Sequence, residues 1–110
     1  MEPSFETRTA GTWTVITARG ELDLSSSEHL RSALDAGLVD GAPRMAVDLS
    51  EVSFMDSSCL GVLVAALKRA RDQGGELRLV GVHGSPLKVI ELTGLDSAFA
   101  MESSLDDLPA

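Results

Sequence analysis

A strand that turns directly into a helix across an acidic and hydroxyl-bearing corner dominates this sequence: AVDLSEVSFMDSSCLGVLVAALKRA, from Ala46 to Ala70. Before the corner, Met45, Val47 and Leu49 alternate with Ala46 and Asp48, the two-residue period of a strand entering the core. After it, Leu60, Leu63, Val64 and Leu67 recur at helical spacing, and Cys59, Val62 and Ala66 widen the apolar stripe. Asp56 at the start of this helix and Lys68, Arg69 and Arg71 at its end have the signs that its dipole favours, and Gly74-Gly75 stops it. The corner is Asp56-Ser57-Ser58. It places Ser57 in the first helical turn, beside backbone N–H groups that have no partner inside the helix and that attract negative charge. Taken alone, Asp56 and the two serines are better explained as plain helix caps, for which these residues are preferred.

The flanking elements follow the same logic. Phe5 to Thr9 and Trp13 to Ala18 are rich in β-branched and aromatic residues and are separated by Ala10-Gly11-Thr12, which predicts an antiparallel hairpin. In its second strand Trp13, Val15 and Thr17 share one face, and Thr14, Ile16 and Ala18 the other. Ser25-Ser26-Ser27-Glu28 matches a capping box and predicts a helix with Leu30, Ala33, Leu34 and Leu38 buried, closed by Asp40-Gly41-Ala42-Pro43. Beyond the central helix, Glu76 to Val80 reads as a strand. Gly84-Ser85-Pro86 predicts a cap with proline at the first helical position, and the helix it opens has Leu87, Ile90 and Glu91 on one face, Val89 and Leu92 on its flank and a stop at Gly94. A short strand over Ala98 to Met101 and a short terminal helix capped by Ser104, with Asp106 and Asp107 in its first turn, complete the chain. The order β-β-α-β-α-β-α-β implies a single α/β domain over residues 1–110, a mostly parallel mixed sheet with an antiparallel N-terminal edge and three to four helices.

Composition narrows the function. With 17 acidic against 9 basic residues and a formal net charge of -8, the chain lacks the cationic surface that nucleic acid requires, and a basic protein partner fits better. One cysteine, Cys59, rules out an internal disulfide and a multi-cysteine zinc site and suits a reducing cytoplasm. Met1-Glu2-Pro3 begins no signal-peptide pattern, and no apolar run approaches the roughly 18 residues of a membrane span, so a cytoplasmic protein away from the membrane is expected.

The string FMDSSCLGVLVAALKRAR resembles the signature of STAS-domain anti-sigma factor antagonists: a hydrophobic residue, Asp-Ser, Ser or Thr, Gly, Leu, Gly. Two further segments are similar to that family in the same order, Gly20-Glu21-Leu22-Asp23 and Ser85-Pro86-Leu87-Lys88 through Leu92-Thr93-Gly94-Leu95. The resemblance implies that Ser57, the serine directly after the aspartate, is phosphorylated. It implies also that Asp23, Asp56 and Ser58 belong to the partner-binding surface around it. The implied partners are an anti-sigma factor that is also a serine kinase, and a serine phosphatase that resets the switch, with no cofactor or metal in the chain itself. An alternative within the resemblance is a STAS subunit of a transporter ATPase complex that is never phosphorylated. Cys59 departs from the pattern, which usually has glycine there.

Two other chemistries have some of their residues in this chain. Loops following parallel strands gather at one sheet edge, so Asp23, the Asp56-Ser57-Ser58 corner and the His83-Gly84-Ser85 turn are expected to be neighbours, the raw material of a Ser-His-Asp triad. The Gly-x-Ser-x-Gly elbow of such hydrolases is absent around Ser57, which argues against an enzyme. Cys59 in a first helical turn is open to a lowered pKa and redox sensitivity, or to plain burial against the sheet.

Overall fold

Hydrophobic alternation builds the sheet and caps place the helices between its strands. The computed structural model describes residues 2–38 and 41–110, so Asp40, part of the expected helix stop, lies outside the described residues. Strands β1 (Ser4–Ala10) and β2 (Trp13–Leu22) form the hairpin, turning at Gly11 with φ 61°. Then come α1 (Ser27–Gly37), β3 (Arg44–Met55), α2 (Ser57–Asp72), β4 (Glu76–Val80), α3 (Gly84–Leu92) and β5 (Ala100–Glu102). Spatial order equals chain order, β1-β2-β3-β4-β5, with β1 antiparallel to β2 and the other neighbours parallel.

Because each parallel strand lies beside the one before it, right-handed crossovers carry all three helices to the same face. On that face Ile16, Ala18, Val47, Leu49, Leu77 and Leu79 from the strands form one core with Leu30 and Leu34 of α1, Leu63 and Leu67 of α2 and Ile90 of α3. The opposite face holds Trp13, Val15, Ala46 and Val80, covered by Leu105 and Leu108 of the C-terminal segment instead of by a helix. Trp13 donates its indole N–H to the Pro109 carbonyl at 2.7 Å, and the Arg44 guanidinium stacks 4.3 Å over its ring. Thus the predicted split of β2 into a Trp13/Val15 face and an Ile16/Ala18 face divides two separate clusters.

The strand β3 is longer than its alternating run indicates and is twice irregular. Thr17 pairs with Asp48 but Arg19 with Glu51, and Gly20 with Val52 but Glu21 with Phe54, so β3 carries an extra residue at each step. Strand β4 pairs with β3 only as far as Asp48↔Val80. Beyond Asp48 the β2–β3 ribbon overhangs the rest of the sheet, and its tip carries the Asp56 corner.

Several local expectations shift. The first helix is capped from Asp23, across a 3-10 turn at Leu24–Ser26, and Ser26 caps without a side-chain bond; an acid with a reciprocal serine partner outcompetes the predicted Ser25–Glu28 box. The third helix begins at Gly84 after His83, so Pro86 is its third residue, still within the turn where no N–H is needed. Leu92 is 81% exposed because it stands two residues, about 200° of helical turn, from the fully buried Ile90; Pro86 and Ile90, one turn apart, carry the burial. Gly75 is required by packing: a Cβ there would meet the Pro43 carbonyl oxygen at 2.0 Å, where the chain turns to hydrogen-bond Glu76 N–H to that same oxygen at 2.8 Å. Ser104 caps its 3-10 turn as expected, accepting from the Asp106 N–H at 3.2 Å.

Candidate functional site

At the overhanging tip two strands end side by side in aspartates. Leu22 pairs with Met55, and Asp56 donates its N–H to the Leu22 carbonyl at 3.0 Å, which brings the chain leaving β2 against the chain leaving β3. One Asp56 carboxylate oxygen accepts from the Ser58 N–H at 3.0 Å, the Cys59 N–H at 3.3 Å and the Ser58 hydroxyl at 2.5 Å. The Ser58 hydroxyl is the main reason that the Asp56 carboxyl is held below the usual carboxylate range; the amides of Cys59, Ser58 and Leu24 add to it against a smaller opposing effect of burial.

The Asp23 corner has the same construction. Its carboxylate accepts from the Ser25 N–H at 2.9 Å and the Ser25 hydroxyl at 2.5 Å, and the Asp23 N–H donates to the Ser26 hydroxyl at 2.9 Å. The two corners are tied by Cys59, fully buried, whose thiol reaches the Asp23 carbonyl at 3.3 Å. Burial pushes the Cys59 pKa up, so the thiol is a protonated donor between corners, the opposite of a reactive thiolate.

Ser57 is the first residue of α2 and is exposed; among the described residues its hydroxyl has no hydrogen-bond partner. Of the backbone N–H groups expected to be free beside it, those of Ser58 and Cys59 are already held by Asp56. His83 does not join this cluster. Its ring meets the Ser50 carbonyl at 2.9 Å, roughly 15–20 Å back along β3 from Asp56, because β4 stops opposite Asp48. With its ring held at Ser50, His83 does not complete the expected triad with Ser57. Among the described residues no group of three or more His, Cys, Asp or Glu is placed to hold a metal ion, and no helix is long and apolar enough to cross a membrane.

Residues 4–108 match the family model described as STAS domain. The chain belongs to the STAS domain family. It is 34% identical over 88 residues to an anti-sigma-B factor antagonist of Listeria monocytogenes, an alignment covering 80% of this chain and 77% of that protein. Among solved structures, an anti-sigma factor antagonist from Mycobacterium paratuberculosis superposes with a TM-score of 0.86 at 28% identity, covering 96% of this chain and 90% of that one. A sulfate transporter family protein from Wolinella succinogenes shares the fold, with a TM-score of 0.74 at 16% identity, covering 90% and 83%.

Within this STAS domain, the structure brings together Asp23, Asp56, Ser57 and Ser58 and leaves His83 apart. Sequence reasoning missed Leu24 and Phe54, large apolar residues left 73% and 42% exposed at the same end of the domain. One signal for Leu24 was present in the chain: Asp23-Leu24-Ser25 repeats the spacing of Asp56-Ser57-Ser58, so the middle residue of each corner projects from the first position after an aspartate cap.

Proposed function

We propose that this STAS domain is an anti-sigma factor antagonist that acts by partner switching in the cytoplasm. Unphosphorylated, it binds an anti-sigma factor that is also a serine kinase, and the sigma factor goes free. The Ser57 hydroxyl oxygen then attacks the γ-phosphorus of the kinase's ATP; the bond to the ADP oxygen breaks, and the serine proton passes to a base of the kinase. A serine phosphatase hydrolyses the phosphoester and restores the hydroxyl. The domain supplies an acceptor and a docking surface, with Asp23, Asp56 and Ser58 around the acceptor.

The observation that carries this reading is the contrast between the two serines of the corner. The Ser58 hydroxyl is engaged by Asp56 at 2.5 Å, whereas Ser57 stands exposed on the helix start. Phosphoserine adds about -1.5 to -2 charges, beside a carboxylate that already holds two N–H groups of the helix end, so the modified corner would have to be desolvated against a partner surface shaped for a neutral hydroxyl, and binding is lost without unfolding. Incubation with the anti-sigma serine kinase of the same organism and ATP, followed by intact-mass and peptide analysis, tests it. One phosphate on Ser57 is the expected result. A chain that binds the kinase's sigma-releasing surface not at all and gains no phosphate points instead to the transporter-linked role, to which the fold shared with the Wolinella succinogenes protein is equally suited.

A further inference from the structure

An exposed leucine is by itself ordinary on a protein surface. Leu24 differs from the average case in where it stands. It occupies the first position after the Asp23 cap, as Ser57 does after the Asp56 cap, and the corners are joined through Asp56 N–H to Leu22 O at 3.0 Å and Cys59 Sγ to Asp23 O at 3.3 Å. Its side chain is 73% exposed and contributes little to the core of its own domain. Phe54, 42% exposed and paired with Glu21 across the ribbon, lies at the same tip. Around these corners Glu21, Asp23 and Asp56 have no lysine or arginine ion-paired to them among the described residues, whereas Glu28, a turn into α1, is paired with Arg31 at 3.5 Å.

We propose that Leu24 is the recognition anchor for the kinase, entering an apolar pocket beside the phosphoacceptor site whose rim carries lysine or arginine side chains facing Glu21 and Asp23. This deepens the partner-switching reading and rests on it. The two corners come from loops 33 positions apart, so the kinase reads a folded pair, hydroxyl and leucine, rather than the linear sequence around Ser57. Burying a leucine in such a pocket and ringing it with opposite charge accounts for affinity and for discrimination together: a wrong partner with an acidic rim is repelled before the apolar contact forms.

The test uses the full chain and the kinase with ATP, following binding by calorimetry and phosphoryl transfer by steady-state kinetics. Leu24→Ala is expected to weaken binding and raise KM about 10- to 100-fold with kcat retained, with an unchanged melting temperature. Leu24→Met should keep most of the affinity. Leu92→Ala, at a leucine 81% exposed on the end of α3, should behave as wild type. A peptide covering residues 50–65 should be a poor substrate even at high concentration. Wild-type binding and KM in Leu24→Ala, equal losses in Leu92→Ala, or efficient phosphorylation of the peptide each overturn the anchor while leaving partner switching intact. Failure of the wild-type chain to bind or be phosphorylated overturns both.

Discussion

The Asp56 and Asp23 corners share one backbone solution and hold different side chains. In both, an aspartate at a strand end caps the next turn and takes the N–H and hydroxyl of the serine two residues on, at 3.0 and 2.5 Å in one and 2.9 and 2.5 Å in the other. The Asp56 corner opens a 16-residue helix and exposes a serine; the Asp23 corner opens a three-residue 3-10 turn and exposes a leucine. A cap of this kind fixes where the next residue points and leaves its chemistry free. One scaffold, repeated on adjacent strands, therefore presents a serine at one corner and a leucine at the other.

The sharpest break in the comparison is at the exposed position. Ser57→Ala should abolish phosphorylation, whereas Ser58→Ala should keep it, read by peptide mapping after reaction with the kinase. In the wild-type chain phosphorylation should weaken kinase binding by roughly two orders of magnitude, the equivalent of about 3 kcal/mol for a charge docked without a partner, with the folded state retained in melting curves.

Removing the stronger cap comes next. Asp56→Ala should destabilise the fold by about 1–2 kcal/mol, seen as a lower urea midpoint with an unchanged slope. Asp56 also gives the wild-type protein an acid sensitivity of known sign. Its folded pKa is depressed, chiefly by the Ser58 hydroxyl, so its contribution is complete above the unfolded value of about 4 and is lost as pH falls through the lower folded value. Asp56→Asn should flatten that part of the stability profile between neutral pH and acid; an unchanged profile would locate the acid sensitivity elsewhere.

The tie between corners is expected to matter less. Cys59→Ala removes a buried thiol and its bond to the Asp23 carbonyl, at a cost of about 1 kcal/mol and a fall in melting temperature of roughly 4 °C. Alkylating reagents should leave the native thiol unmodified while the fold persists, because it is buried and protonated. The smallest effect on stability is predicted for Asp23→Asn, where the exposed cap loses charge but keeps an acceptor: a shift of a few degrees at most, alongside measurably weaker kinase binding. Normal binding by that variant would confine Asp23 to its capping role.

Local chemistry determined a great deal of this protein before any tertiary contact was known. The alternation in β2 and β3, the stripe of α2 and the residues that stop it are properties of segments a few turns long, and the elements they predict form where expected. Asp56, Ser57 and Ser58 were legible for the same reason: a strand end, a cap and a helix start are adjacent in the chain. What tertiary structure decided was everything that depends on register and relative length. His83 was expected beside Ser57 because both follow parallel strands, yet β4 pairs only to Asp48 while β3 runs on to Met55, and no local pattern reports how far one strand overhangs another. The first cap, by contrast, closes on Ser25 and Ser26 within its own turn, so its move from Ser25 to Asp23 was local in origin; what tertiary structure added is the tie of that corner to α2 through Leu22 and Cys59. Leu92 was placed on the flank of α3 by helical period, but the sheet covers the side that carries Pro86 and Ile90, and Leu92 projects from the opposite one. Exposure, overhang and the meeting of the two corners are set by how separate elements abut, and that information resides in the pairing of strands rather than in any one stretch of sequence.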